Sequence, residues 1–82
     1  MKIYRYKDKC NVSGVVIRRL REKHGLTQEQ LAARLQCLGI DLIQKSISRI
    51  ETGERVVADY ELAAFANVFS VPIEIFVEDC FK

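Results

Sequence analysis

Between Leu26 and Gly53 the chain marks out two short helices with their starts, stops and buried stripes, and this pairing constrains the fold more than any other feature. Thr27-Gln28-Glu29-Gln30 has the form of a capping box: the Thr27 hydroxyl accepts from the backbone N–H of Gln30, and the Gln30 amide reaches back to Thr27. Leu26 before the cap and Leu31 at the fourth helical position are placed as a hydrophobic staple. Leu31, Ala32 and Leu35 continue as one apolar stripe, which predicts a helix from Gln28 to Gln36 or Cys37. Ile43, Ile47 and Ile50 repeat the spacing, predict a helix over 43–52, and leave Gln44, Lys45, Ser48 and Arg49 facing out. Gly53 follows, where glycine takes a left-handed C-cap at little cost.

The flanking segments extend this pattern. Asn11 or Ser13 can cap a first helix whose buried face is Val16, Ile17 and Leu20 and which ends near His24 and Gly25. Asp59 is a good N-cap for a fourth helix carrying Leu62, Phe65, Ala66 and Phe69 at core spacing. Val71-Pro72 opens a fifth, with Ile73, Ile75, Phe76 and Val77 closing the core or offering a dimer face. Phe65, Phe69, Phe76 and Phe81 read as core or interface residues, not as a base-stacking platform. The segment 36–42 is a long connection, and its apolar Leu38, Ile40 and Leu42 predict that it packs down. Asp41 can cap the third helix, with Gln44 as the other half of a second capping box. Residues 1–10 are basic, with Ile3, Tyr4 and Tyr6 but no helical stripe: a basic arm, or a short strand that pairs with a second subunit. The expected architecture is all-α, a compact bundle of five short helices forming a single domain over residues 11–82.

Charge divides sharply along the chain. Residues 1–49 carry eleven Lys/Arg and four Asp/Glu, a balance of +7, whereas residues 50–82 carry two and seven, a balance of −5. Such a split attracts polyanions to one side of a small domain and repels them from the other. The three cysteines, Cys10, Cys37 and Cys80, have no C-x-x-C spacing, and His24 is the only histidine. Reduced structural thiols are therefore expected and no metal or other cofactor, although an odd count leaves an intermolecular disulfide open under oxidation. His24, at a helix C-terminus, reads as a favourable dipole interaction. There is no nucleophile elbow, phosphate loop or carboxylate pair to suggest an enzyme, and no small-molecule ligand is expected. No apolar run has the length of a membrane span or the form of a signal peptide, so the expected location is the cytoplasm.

Gly25-Leu26-Thr27-Gln28-Glu29-Gln30-Leu31-Ala32, followed by Ser46-Ile47-Ser48-Arg49-Ile50-Glu51-Thr52-Gly53, resembles the lambda-repressor/Cro-like helix-turn-helix family, also called the XRE type. The resemblance runs from about Ile17 to Phe76. It implies a small transcriptional regulator, a repressor from a bacterium or phage, binding double-stranded DNA as a homodimer on a pseudo-palindromic operator. By position Gln44, Lys45, Ser48 and Arg49 would read bases, since Gln suits adenine and Arg or Lys suits guanine. Thr27, Gln28, Thr52 and Arg55 would contact phosphates, and Arg18, Arg19 or Lys2, Arg5, Lys7 and Lys9 can extend that footprint. Arg21 and Glu51 match an ion pair tying the first helix to the back of the third. Ser70 stands where the family commonly has glycine, which predicts a mildly strained turn. The competing reading is a protein-interaction module, antitoxin-like or adaptor, on the same scaffold.

Overall fold

A computed structural model of the chain describes residues 5–80. Among them are four α-helices, α1 (Gly14–Lys23), α2 (Gln28–Cys37), α3 (Gln44–Glu51) and α4 (Asp59–Phe69), and then a 3-10 turn over Ile73–Phe76. The fifth helix expected from the sequence is thus one tight turn, entered from extended Pro72. Lys2, Ile3, Tyr4 and Phe81 lie outside the described residues. No helix among the described residues is long and apolar enough to cross a membrane.

All four α-helices end alike. The chain turns left-handed at Gly25, Gly39, Gly53 and Ser70, and the next N–H reaches back five residues, as in Leu26 to Arg21 (3.0 Å) and Glu54 to Arg49 (2.8 Å). Ile40 to Leu35 (3.0 Å) and Val71 to Ala66 (3.1 Å) complete the set. Ser70, at φ 54°, is the one non-glycine among them, and the strain expected there is present.

The core forms where the stripes meet. Ile17, Leu31, Leu35, Ile47, Ile50 and Phe65 are fully buried, with Phe69 and Phe76 nearly so. Leu42 is buried and Ile40 packs against the core, so the long connection does fold down, although Leu38 is exposed. The Gln36 side chain donates to the Leu42 carbonyl at 3.2 Å and holds that connection to the end of α2.

Several local expectations are corrected. Ile43 is not part of the buried stripe: it is the extended N-cap residue of α3 and 55% exposed. The capping box with Asp41 does not form, because α3 has no side-chain cap. Asp59 is the first helical residue of α4, not its cap; the Ala58 N–H donates instead to the Glu61 carboxylate at 3.0 Å. At α1 the N-cap position is Ser13, but the bonding side chain is Asn11, whose Oδ1 accepts from Gly14 N at 2.8 Å. Gly14 is buried because α1 starts against the end of α3, where a Cβ would collide with the Ile50 carbonyl oxygen.

Candidate nucleic-acid interface

The outward face of α3 is prepared from behind. Ile47 and Ile50 anchor the helix in the core, so Lys45 and Arg49 stand exposed, with Ser48 half-buried between them. The ion pairs among the described residues are Arg18–Glu22, Arg21–Glu51 and Arg55–Glu61; neither Lys45 nor Arg49 takes part. Two cations without ion pairs on a helix fixed by isoleucines are available to an anionic partner.

Glu51 and Arg21 hold that helix in place. The Arg21 guanidinium grips the Glu51 carboxylate with Nε at 2.6 Å from Oε2 and Nη2 at 3.1 Å from Oε1. Nη1 donates at 2.8 Å to the carbonyl of Leu26, the residue just before the Thr27 cap of α2. One largely covered side chain therefore joins the end of α1, the start of α2 and the end of α3. The hydrogen bonds to Glu51 raise the Arg21 pKa above the ordinary arginine value, against the opposing effect of burial.

Gln28 continues the network toward the open face. Its Nε2 donates to Glu51 Oε1 at 3.0 Å, and its Oε1 accepts from Gln44 Nε2 at 2.6 Å. Gln44 is thus engaged by Gln28 rather than by a cap at Asp41. This bond uses one of the two amide hydrogens of Gln44 and leaves its Oε1 and the other hydrogen directed by a fixed neighbour. The capping box at the start of α2 is complete: Gln30 N donates to Thr27 Oγ1 at 3.0 Å, and Thr27 N donates to Gln30 Oε1 at 2.9 Å.

The helix-turn-helix family of the Cro/C1 type matches residues 17–76, from within α1 to the end of the 3-10 turn. The chain belongs to this family. Among curated proteins no relative matches. Cro/C1-type helix-turn-helix proteins are DNA-binding regulators and generally not enzymes. In helix-turn-helix proteins generally the second helix of the motif lies in the major groove; the second helix of the motif in this chain is α3.

Two further residues expected to meet phosphates flank the end of α3. Thr52 is exposed, and its Oγ1 donates to the carbonyls of Ser48 and Arg49, both at 3.2 Å. Arg55 is drawn into a second ion pair: Nη1 and Nη2 lie 2.9 and 3.1 Å from the two Glu61 oxygens, and Nη1 also meets the Val56 carbonyl at 2.9 Å. Any phosphate it touches would share this guanidinium with Glu61.

Sequence reasoning read Asn11 as a cap of α1, which it is, and missed its longer reach. Its Nδ2 donates to the carbonyls of Ile50 (3.0 Å) and Arg55 (2.7 Å), joining the start of α1 to the end of α3 and the loop beyond it. An asparagine before a helix signals only a cap; nothing local announces acceptors some forty residues away.

Proposed function

We propose that the chain is a transcriptional repressor of the cytoplasm that binds double-stranded DNA as a homodimer on a pseudo-palindromic operator. Each α3 would lie in a major groove, the two about 34 Å apart, and bound protein would block polymerase. The observation that carries this reading is the outward row of α3: Lys45 and Arg49 exposed and outside the ion pairs formed among the described residues, and Gln44 steadied by Gln28. Lys45 and Arg49 would donate to guanine O6 and N7, Gln44 would suit adenine, and Ser48 would add a fourth contact. Thr27 and Gln28 at the start of α2 would meet one phosphate strand, where free helix N–H groups favour anions. Thr52 and Arg55 would meet the other.

The test starts from selection of bound duplexes out of a random pool, which yields the operator and its half-site spacing. Arg49→Ala should then weaken that duplex by about 1–3 kcal/mol while sparing random DNA more. An operator affinity unchanged in a folded Arg49→Ala variant would refute the assignment of α3. Binding of a protein partner insensitive to salt, with no duplex recovered, would favour the adaptor reading instead.

A further inference from the structure

The segment before α1 is fastened to the carboxyl end of α3. Tyr6 and Lys9 exchange backbone hydrogen bonds of 2.8 and 3.0 Å across a two-residue turn. Its central residues, Lys7 and Asp8, both lie left-handed at φ 51° and 64°, a conformation lysine keeps only where its surroundings impose it. Those surroundings are the turn that ends α3: Cys10 N donates to Gly53 O at 2.8 Å, and Lys9 Nζ to Thr52 O at 3.0 Å. The Lys9 alkyl chain runs so close over Gly53 that a Cβ there would meet it.

This arrangement has an electrostatic consequence. The last carbonyls of a helix form the negative end of its dipole, an unfavourable group to bring near a polyanion. Here the Lys9 ammonium and the Asn11 amide cover two such carbonyls, those of Thr52 and Ile50, and the Cys10 N–H covers that of Gly53 just beyond the helix. The turn also extends a row of polar groups. Lys45, Arg49 and Thr52 share one helical face at spacings of four and three; Lys9 joins that row at Thr52, and exposed Arg5 and Lys7 belong to the segment that Lys9 fastens there. An eight-residue helix is about 12 Å long, which matches the width of a major groove. An element fixed at its end therefore sits at the groove's rim, where phosphates are.

We propose that residues 5–9 form a second DNA-contacting element, in which Arg5 and Lys7 neutralise phosphates beside the groove that α3 enters and Lys9 masks the negative end of α3. The proposal rests on the DNA-binding reading above and deepens it. Phosphate neutralisation of this kind adds affinity without base preference and steepens the dependence on salt.

The experiment measures binding of wild type, Arg5→Ala/Lys7→Ala, Lys23→Ala and Arg49→Ala to the selected duplex and to a random-sequence duplex over a salt series. Lys23 is the charge control, since it is exposed and lies across α1 from Gly14 and Arg21, the residues that meet α3. Arg5→Ala/Lys7→Ala should flatten the slope of log K against log salt by about 0.9 for each phosphate no longer neutralised, lowering affinity equally for both duplexes. Lys23→Ala should leave the slope unchanged. A slope unaltered by the double substitution, or altered no more than by Lys23→Ala, would overturn the proposal while the α3 reading stands. Arg49→Ala reports on that reading separately: it should reduce the ratio of selected to random binding, and an unchanged ratio would remove both.

Discussion

Two ion pairs in this molecule look alike in isolation and differ in what they join. Arg21–Glu51 and Arg55–Glu61 both set a guanidinium against both oxygens of a nearly buried carboxylate, whose side chains are 3% and 6% exposed. The first spans thirty residues and locks three helices together. The second spans six and closes the loop from α3 onto the start of α4. The arginines differ too, at 13% exposed for Arg21 and 32% for Arg55. Burial and the number of elements joined, rather than distance, should therefore rank the two.

The largest effect is expected at Glu51. Replacing it by alanine strands the Arg21 guanidinium with only the Leu26 carbonyl and takes an acceptor from Gln28. Removing one member of a buried pair costs about 3–5 kcal/mol, much of the total stability of a domain this small. Urea denaturation of Glu51→Ala measures it. A loss below about 1 kcal/mol would place this pair among ordinary surface contacts and erase the comparison. Because the same substitution releases Gln28 and Gln44, any loss of DNA binding has to be read at temperatures where the variant is folded.

Glu61 should rank second. Glu61→Gln keeps an oxygen for the Ala58 N–H and abolishes the charge that pairs with Arg55, a partly solvated group; a loss of about 1–3 kcal/mol at neutral pH is expected. Burial alone would push the Glu61 carboxyl up, but the hydrogen bonds from Arg55 and from Ala58 N–H outweigh it and hold its pKa below the ordinary value of 4.5. A carboxyl with a lowered folded-state pKa stabilises the fold fully above its unfolded value, and that stability disappears as pH falls through the folded one. The gap between wild type and Glu61→Gln should thus be constant near neutrality and narrow below about pH 4.5. A gap that persists unchanged into acid would show that the carboxylate charge is not what Arg55 responds to.

The same contrast explains what could be read in the sequence. The α2 capping box, the glycine stops at Gly25 and Gly53, and buried Ile47, Ile50, Phe65 and Phe69 were legible because each depends on neighbours within one or two turns. Arg21–Glu51 was legible only through resemblance to a family, since a separation of thirty positions carries no local sign of it. Arg55–Glu61 was not legible at all: Asp59 has the form of a cap for α4, while the carboxylate that receives Ala58 N–H is Glu61, two residues further on. Asn11, Gly14 and Lys9 escaped for the opposite reason, their partners being at the far end of α3. The positive φ of Lys7 and Asp8 was hidden because neither residue is the asparagine or glycine that marks such a turn. Ile43 shows how periodicity overreaches: apolar spacing continued one residue past the place where the helix begins.

Arg18–Glu22 sets the lower end of the scale. Both side chains are more than half exposed, they sit one helical turn apart on α1, and their nearest charged atoms are 3.7 Å apart. Such a pair gains little Coulomb energy in water, gives up side-chain freedom and is screened by salt. Glu22→Gln should cost less than about 0.5 kcal/mol, which in a domain of this size shifts the thermal midpoint by under about 4 °C. That shift should shrink further at a salt concentration of about 1 M, where the screening length falls to about 3 Å, while the deficit of Glu51→Ala changes little. Equal salt sensitivity in the two variants would mean that the carboxylate at Glu51 is solvated, and that burial is not what separates the pair holding α3 from the pair lying on α1.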